Sequence, residues 1–260
     1  MSIFLEVCVD SVASALAARN GGASRLELCD ALIDGGVTPS IGKIEAVVRA
    51  VAPLPVHVLV RPRAGDFCYD EIELGIMERD IEAAAAAGAV GIVTGVLTPH
   101  GQVDEVATRA LFLVANSYHL ACVFHRAVDT TVDFIGAIIT IARLGAAEIL
   151  TSGGESSALR GALVIAAASD ALLKEGLSAT KLIAGGGLTA ENASEMIDKS
   201  KVTAVHGTCR EVVQGPMTFR KNPPIYMGSD RRLEPMIEYG RREATQASVE
   251  KVLEAIKTNK

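Results

Sequence analysis

Two short runs, LEVCV at residues 5–9 and LELCD at 26–30, each place a glutamate two residues before a cysteine. Carboxylates and thiols are side chains of acid–base chemistry and of soft-metal binding. Side chains alternate between faces along a strand, so Glu6 shares a face with Cys8, and Glu27 shares one with Cys29. Leu5, Val7 and Val9 fall on the other face of the first run, and Leu26 and Leu28 on that of the second. The pattern suits strands with one face under helices and the other turned into a closed lumen. Adjacent strands lie about 4.8 Å apart, which predicts a glutamate layer and a cysteine layer side by side.

Further polar groups stand at the C-terminal ends of other apolar runs. VHVLVRPR supplies Arg61 and Arg63, with His57 deeper on the same face. In VFHRA, His125 is expected to point inward and Arg126 outward. Thr151 or Ser152, and then His206 and Thr208, come from two later runs. Gly185, Gly186 and Gly187 precede a helix start at Thr189, an arrangement suited to an anion such as phosphate or carboxylate. RPRAGDFCYD reads as a loop over the mouth that brings Arg61, Arg63, Asp66 and Tyr69 together. The plainer reading of the charges is a structural ion-pair network, since buried charge is costly unless it is paired or used. Buried cysteines on neighbouring strands are likewise common as simple packing, and Cys122, in an apolar run, reads as a packed hydrophobe.

These residues need a scaffold, and the chain repeats one. Eight apolar runs recur: 4–9, 25–29, 56–61, 90–95, 121–127, 148–153, 181–187 and 204–209. Helix-like segments such as SVASALAARN, IGKIEAVVRAV and IGAIITIARL lie between them. NGGASRLEL, AAGAVGIV and RLGAAEIL each end a helix on Gly-Ala just before a strand, as a left-handed C-cap requires. Thr38-Pro39, and Thr189 followed by Glu191, read as helix starts. Evenly spaced βα units with no break in composition predict one α/β domain over residues 1–260, a TIM (β/α)8 barrel. No GxGxxG follows the first strand, which argues against a dinucleotide-binding sheet. A long connection at about 210–235 and a helix at about 238–257 are expected to complete the chain.

Composition narrows the function. Apolar residues make up 49% of the 260, enough for an extensive core, and a net charge of −6 offers no basic face for nucleic acid or an anionic membrane. Glu6 and Asp10 interrupt any secretion-signal pattern, and there is no run of about 18 apolar residues to span a bilayer. Five widely spaced cysteines without a CxxC read as reduced thiols, so a cytoplasmic location is expected.

LEVCVDS, GGASRLELCDALIDGGVTPS, VLVRPRAGDFCYD, FHRAVD, EILTSG, AGGGLTAEN and the Val-His of the eighth run together resemble the copper homeostasis CutC family, over about residues 4–210. The resemblance implies a (β/α)8 fold, a cytoplasmic protein and a homo-oligomer, dimer or tetramer. It also implies Cu(I) binding through Cys8 and Cys29 and a role in copper homeostasis. After the eighth-run histidine this chain carries Gly207-Thr208-Cys209, where the family usually has Ser or Cys-Ser. The alternative is a barrel enzyme (lyase, isomerase or hydrolase) acting on a small anionic metabolite. Glu6, Glu27, His125 and His206 would then be the acid–base residues, and Arg61, Arg63 and the glycines at 185–187 would bind the anion.

Overall fold

The computed structural model describes residues 3–223, 225 and 239–257. Strands and helices alternate as β1 (Phe4–Val9), α1 (Val12–Asn20), β2 (Arg25–Leu28), α2 (Ile41–Val51), β3 (Val56–Leu59) and α3 (Glu71–Ala86). They continue as β4 (Gly91–Thr94), α4 (Glu105–Ser117), β5 (Ala121–Phe124), α5 (Phe134–Arg143) and β6 (Glu148–Thr151). The last repeats are α6 (Ala162–Lys174), β7 (Lys181–Gly185), α7 (Ala190–Ser200) and β8 (Ala204–Gly207). All eight strands are parallel, pair in chain order and close β8 back onto β1, which is the expected TIM barrel.

Both faces of each strand are buried, but against different partners. Leu5, Val7, Val9, Leu26 and Leu28 pack outward into the large apolar layer beneath the helices. Inside the lumen, Cys8, Cys29, Leu59, Val93 and Val123 form one apolar cluster, and Leu150, Ile183 and Ala204 form another with Phe4. The remaining inward positions of β1, β2, β3, β6 and β8 carry the buried polar groups described below.

The joints follow the expected chemistry. Gly88 and Gly145, just past α3 and α5, adopt φ of +91° and +95°, which a side chain resists. Thr189 precedes α7, and its backbone N–H donates to the Asn192 side chain three residues on. The other expected helix start differs: Ser40 caps α2. The Thr38 hydroxyl is engaged with the Arg61 backbone instead, donating to its carbonyl and accepting from its N–H, so the segment before α2 is tied to the exit of β3.

After β8 the chain departs from an uninterrupted connection. β9 (Arg210–Gln214) pairs antiparallel with β10 (Gly240–Ala244), placing a ribbon where a loop from 210 was expected. The final helix, α8 (Gln246–Lys257), begins after that ribbon rather than at 238. Residues 224 and 226–238, the rest of the expected connection, lie outside the described residues. The β9 sequence REVVQ alternates well enough for a strand, but its pairing partner lies about 30 residues away, and no short-range turn announces it. α8 packs on α1 and α7, filling the outer layer where the barrel closes.

Candidate metal and ligand site at the barrel mouth

The stagger of parallel strands decides which groups meet. Across β1 and β2, Glu6 stands beside Arg25 and Cys8 beside Glu27, while across β1 and β8, Glu6 stands beside His206. The side-by-side glutamate layer expected from the sequence therefore does not form. His206 instead lies between the two carboxylates, with Nδ1 2.8 Å from Glu6 and Nε2 3.5 Å from Glu27. The cysteines do meet: their sulfurs are 3.1 Å apart, one thiol donating to the other.

Beneath the thiols lies a buried ion network. Arg25 Nε donates to Glu6 at 2.6 Å, its Nη2 lies 2.6 Å from Glu148 across the lumen, and its guanidinium covers the Phe4 ring. Burial alone would push the Glu6 carboxyl up, but the hydrogen bond with His206 and the charge of Arg25 outweigh it and hold the group down at about 2. Burial opposes the charge on His206, yet the charge of Glu27 and the bonds to Cys8 and Glu6 raise it well above the ordinary imidazole range. His206 is thus an imidazolium that donates to Glu6. Glu27 shifts the other way, raised by burial and by the charge of Glu6 against the pull of His206. His57, under the same network, is pushed down to about 4 by burial and by Arg25.

The signs give a pH profile for the metal-free protein. Glu6 contributes stability that is present above about 4.5 and is lost as pH falls toward 2. His206 and Glu27, with raised values, contribute stability that is lost as pH rises through their folded-state values. Thermal unfolding followed from pH 6 downward is expected to fall more steeply for the native chain than for Glu6→Gln; parallel curves would remove this role from Glu6.

Above the network a cavity of about 460 Å³ opens at the C-terminal ends of the strands. Cys8, Glu27, Cys29, Arg61, His125 and His206 line it, as do Gly186, Gly187 and Thr208. Three sequence-predicted residues are placed elsewhere. Glu6 is sealed below, engaged with Arg25 and His206. Arg63 turns away to Glu73, Asp66 and the Cys68 carbonyl and leans on Tyr69. Gly185 packs in β7 against Leu150 and His206 rather than lining the opening. Arg63 follows Pro62 past the end of β3, where strand alternation no longer applies.

The same reasoning corrects Arg126. β5 ends at Phe124 and residues Arg126–Thr130 form a 3-10 turn, so Arg126 lines the cavity beside His125 instead of facing away. It pairs with Asp129 at 2.8 Å and donates to Ser152 Oγ. Asp129, missed in the sequence, also accepts from Thr151 Oγ1 and from the backbone N–H groups of Ser152 and Gly154, locking the exit of β6. Arg25 was also missed. It stands two residues before Glu27, so the alternation that turned Glu27 inward should have turned Arg25 inward as well.

A closed βα barrel with two buried thiols, Glu27 and His206 gathered at its C-terminal mouth is a TIM barrel whose candidate site lies at the end where such barrels carry their chemistry. The CutC family model matches residues 3–211, ending as β9 begins. A CutC family protein from Aliivibrio fischeri is 42% identical over 206 residues, 79% of this chain and 81% of its own. The mouse copper homeostasis protein cutC homolog is 40% identical over 225 residues, 86% of this chain and 80% of its own. A crystal structure of a CutC from Streptococcus agalactiae superposes with a TM-score of 0.73 at 31% identity, covering 79% of this chain and 98% of that one. The chain belongs to the CutC family.

Proposed function

We propose that this protein serves copper homeostasis in the cytoplasm by holding Cu(I) between Cys8 and Cys29 inside the barrel. The observation that carries this reading is the meeting of the two sulfurs at 3.1 Å, with all candidate donor atoms of Cys8, Glu27 and Cys29 within 4.8 Å of one another. Thiolates are soft ligands and suit Cu(I), whereas hard cations prefer a site built from oxygen. All five cysteines are unpaired, as a reducing compartment requires. No described helix is long and apolar enough to cross a membrane.

The fit is close but calls for a small adjustment. With a metal–sulfur bond of about 2.3 Å, the value for zinc, two ligands at a trigonal angle stand about 4 Å apart. The thiols, held together by their hydrogen bond, would have to spread by about 1 Å and give up both protons to hold a metal in this way. Both thiols are shifted up. For Cys8 the hydrogen bond to Cys29 leads and burial adds to it; for Cys29 the bond to Cys8 pulls the value down, but burial and the charges of Glu27 and Asp10 together outweigh it. They therefore stay protonated until metal arrives, and binding must release protons. A Cu(I) bis-thiolate carries one negative charge, and His206 supplies the positive charge beside it.

Anaerobic titration of Cu(I) into the full chain against a chromophoric Cu(I) chelator tests the reading. The protein should withdraw one equivalent per chain; a chelator that keeps all its copper at a comparable site concentration would refute it.

A further inference from the structure

The cavity is far larger than one copper ion, and its wall on the β3–β5 side holds two groups whose partners the described residues do not supply. Arg61 is buried, 5% exposed, and lines the opening. Its guanidinium donates to the carbonyls of Asp34, Gly36 and Gly65, and no carboxylate pairs with it among the described residues. Carbonyls take up Nη1 and Nη2, but among the described residues Nε is left without a partner, and a full positive charge remains in a buried wall, a state that is expensive without a counter-ion. The other arginines of the cavity differ: Arg126 pairs with Asp129, and Arg210 with Asp10.

His125 stands beside it, 6% exposed. The backbone N–H of Ala127 donates to Nδ1 at 3.2 Å, so that nitrogen is an acceptor and the ring proton of the neutral imidazole sits on Nε2. Among the described residues, Nε2 has no hydrogen-bond partner. Burial, followed by the charge of Arg61, pushes His125 down to about 3, so the ring is neutral throughout the physiological range. Phe67 joins the two, its ring 5.0 Å from the Arg61 guanidinium and 5.0 Å from the His125 ring. A side chain at Gly95 would strike the imidazole within 2.7 Å, so the ring fills the space above that glycine and its setting is fixed from both sides.

A single uncompensated cation next to a neutral N–H donor calls for a ligand with one negative charge and an oxygen acceptor. Leu32, Leu59, Leu150 and Leu188 supply apolar contact for the rest of such a molecule, and about 460 Å³ is within the range of small-ligand pockets. We propose that Arg61 and the Nε2–H of His125 bind the carboxylate of a small, largely apolar organic acid in the wall of this cavity. The dianion of a phosphate ester fits less well, because the other two arginines already have carboxylate partners. The site shares the cavity with the thiols but does not depend on their holding copper.

The test uses the full-length, copper-free chain with ¹⁵N-labelled histidine. Benzoate is the probe, phenyl phosphate its matched ester and benzamide its uncharged analogue, all at constant ionic strength. Long-range ¹H–¹⁵N spectra should show His125 as the Nε2-protonated tautomer, with Nε2 shifting saturably on adding benzoate and little on adding benzamide. His125→Phe keeps the aromatic contact with Phe67 and should weaken benzoate binding about tenfold or more, the loss expected for a hydrogen bond to a charged group. Arg61→Lys, which retains the charge, should keep more affinity than Arg61→Met, with folding of each checked by thermal unfolding. An Nε2 signal unmoved by benzoate, or equal affinity in folded His125→Phe, overturns the site. Tighter binding of phenyl phosphate than of benzoate overturns the carboxylate assignment.

Discussion

Replacing both lumen thiols, Cys8→Ser with Cys29→Ser, should abolish tight Cu(I) binding while leaving the barrel folded. Losing an outer-shell partner of a metal ligand typically weakens affinity about 10–100-fold, and losing both soft ligands should exceed the upper end of that range. Serine is close to cysteine in size, and its hydroxyls can use the hydrogen bonds the thiols make to each other and to the Val9 carbonyl, so the fold should survive while the metal loses both soft ligands. Either single variant should show an intermediate loss, because one thiolate remains beside Glu27. Cys68→Ser is the control: Cys68 lies in the loop after β3, outside the cavity lining, and its removal should leave the copper affinity unchanged. Chelator competition under anaerobic conditions reads all four variants against the native chain. A double variant that competes as well as the native chain would move copper binding, if any, away from the lumen.

The second large effect concerns stability. Arg25→Met should destabilise the metal-free barrel by about 3–5 kcal/mol, as expected when one partner of a buried ion pair is removed. Arg25 is the guanidinium that faces both Glu6 and Glu148, so its loss leaves two carboxylates in the lumen with His206 as the remaining nearby cation. Methionine preserves much of the apolar stem over Phe4, which isolates the charge from the packing. Combining Arg25→Met with Glu6→Gln should destabilise by clearly less than the sum of the two single changes, because the pair shares one interaction. Chemical denaturation measures all three variants. A loss below about 1 kcal/mol for Arg25→Met would mean that water or rearrangement replaces the guanidinium, and the network would be a weak contributor of the kind usual for surface pairs.

The architecture was readable because its signals are local. Strand runs, helix periodicity and the glycines that end α3 and α5 all lie within a few residues of one another, and together they led to a TIM barrel. Strand alternation correctly turned Glu6, Cys8, Glu27 and Cys29 inward. It said nothing about stagger, and stagger is what set His206 between the glutamates and Arg25 against Glu6. Alternation also failed at two residues beyond the strand ends, although Cys29, Arg61 and His125, likewise past an end, line the cavity as expected. Arg63 and Arg126 both lie past such an end, one in the loop over the mouth and the other in a 3-10 turn, and each faces opposite to expectation. Asp129 was invisible for a different reason: its role is to collect donors from the exit of β6, more than twenty residues away, a contact that only the closed barrel creates. The ribbon of β9 and β10 has the same character, joining segments separated by residues with no pairing signal of their own.

The pairing of glutamate with cysteine in both strands now divides by depth. Glu6 belongs to the ion network that seals the lumen, and Glu27 stands at the floor of the cavity beside the thiols. The most direct test of the copper site is the copper K-edge absorption spectrum of the full-length protein loaded anaerobically with one equivalent of Cu(I). A first shell made of sulfur, lost in the Cys8→Ser/Cys29→Ser variant, is the result expected; a shell of nitrogen and oxygen alone, or one unchanged in that variant, would contradict it.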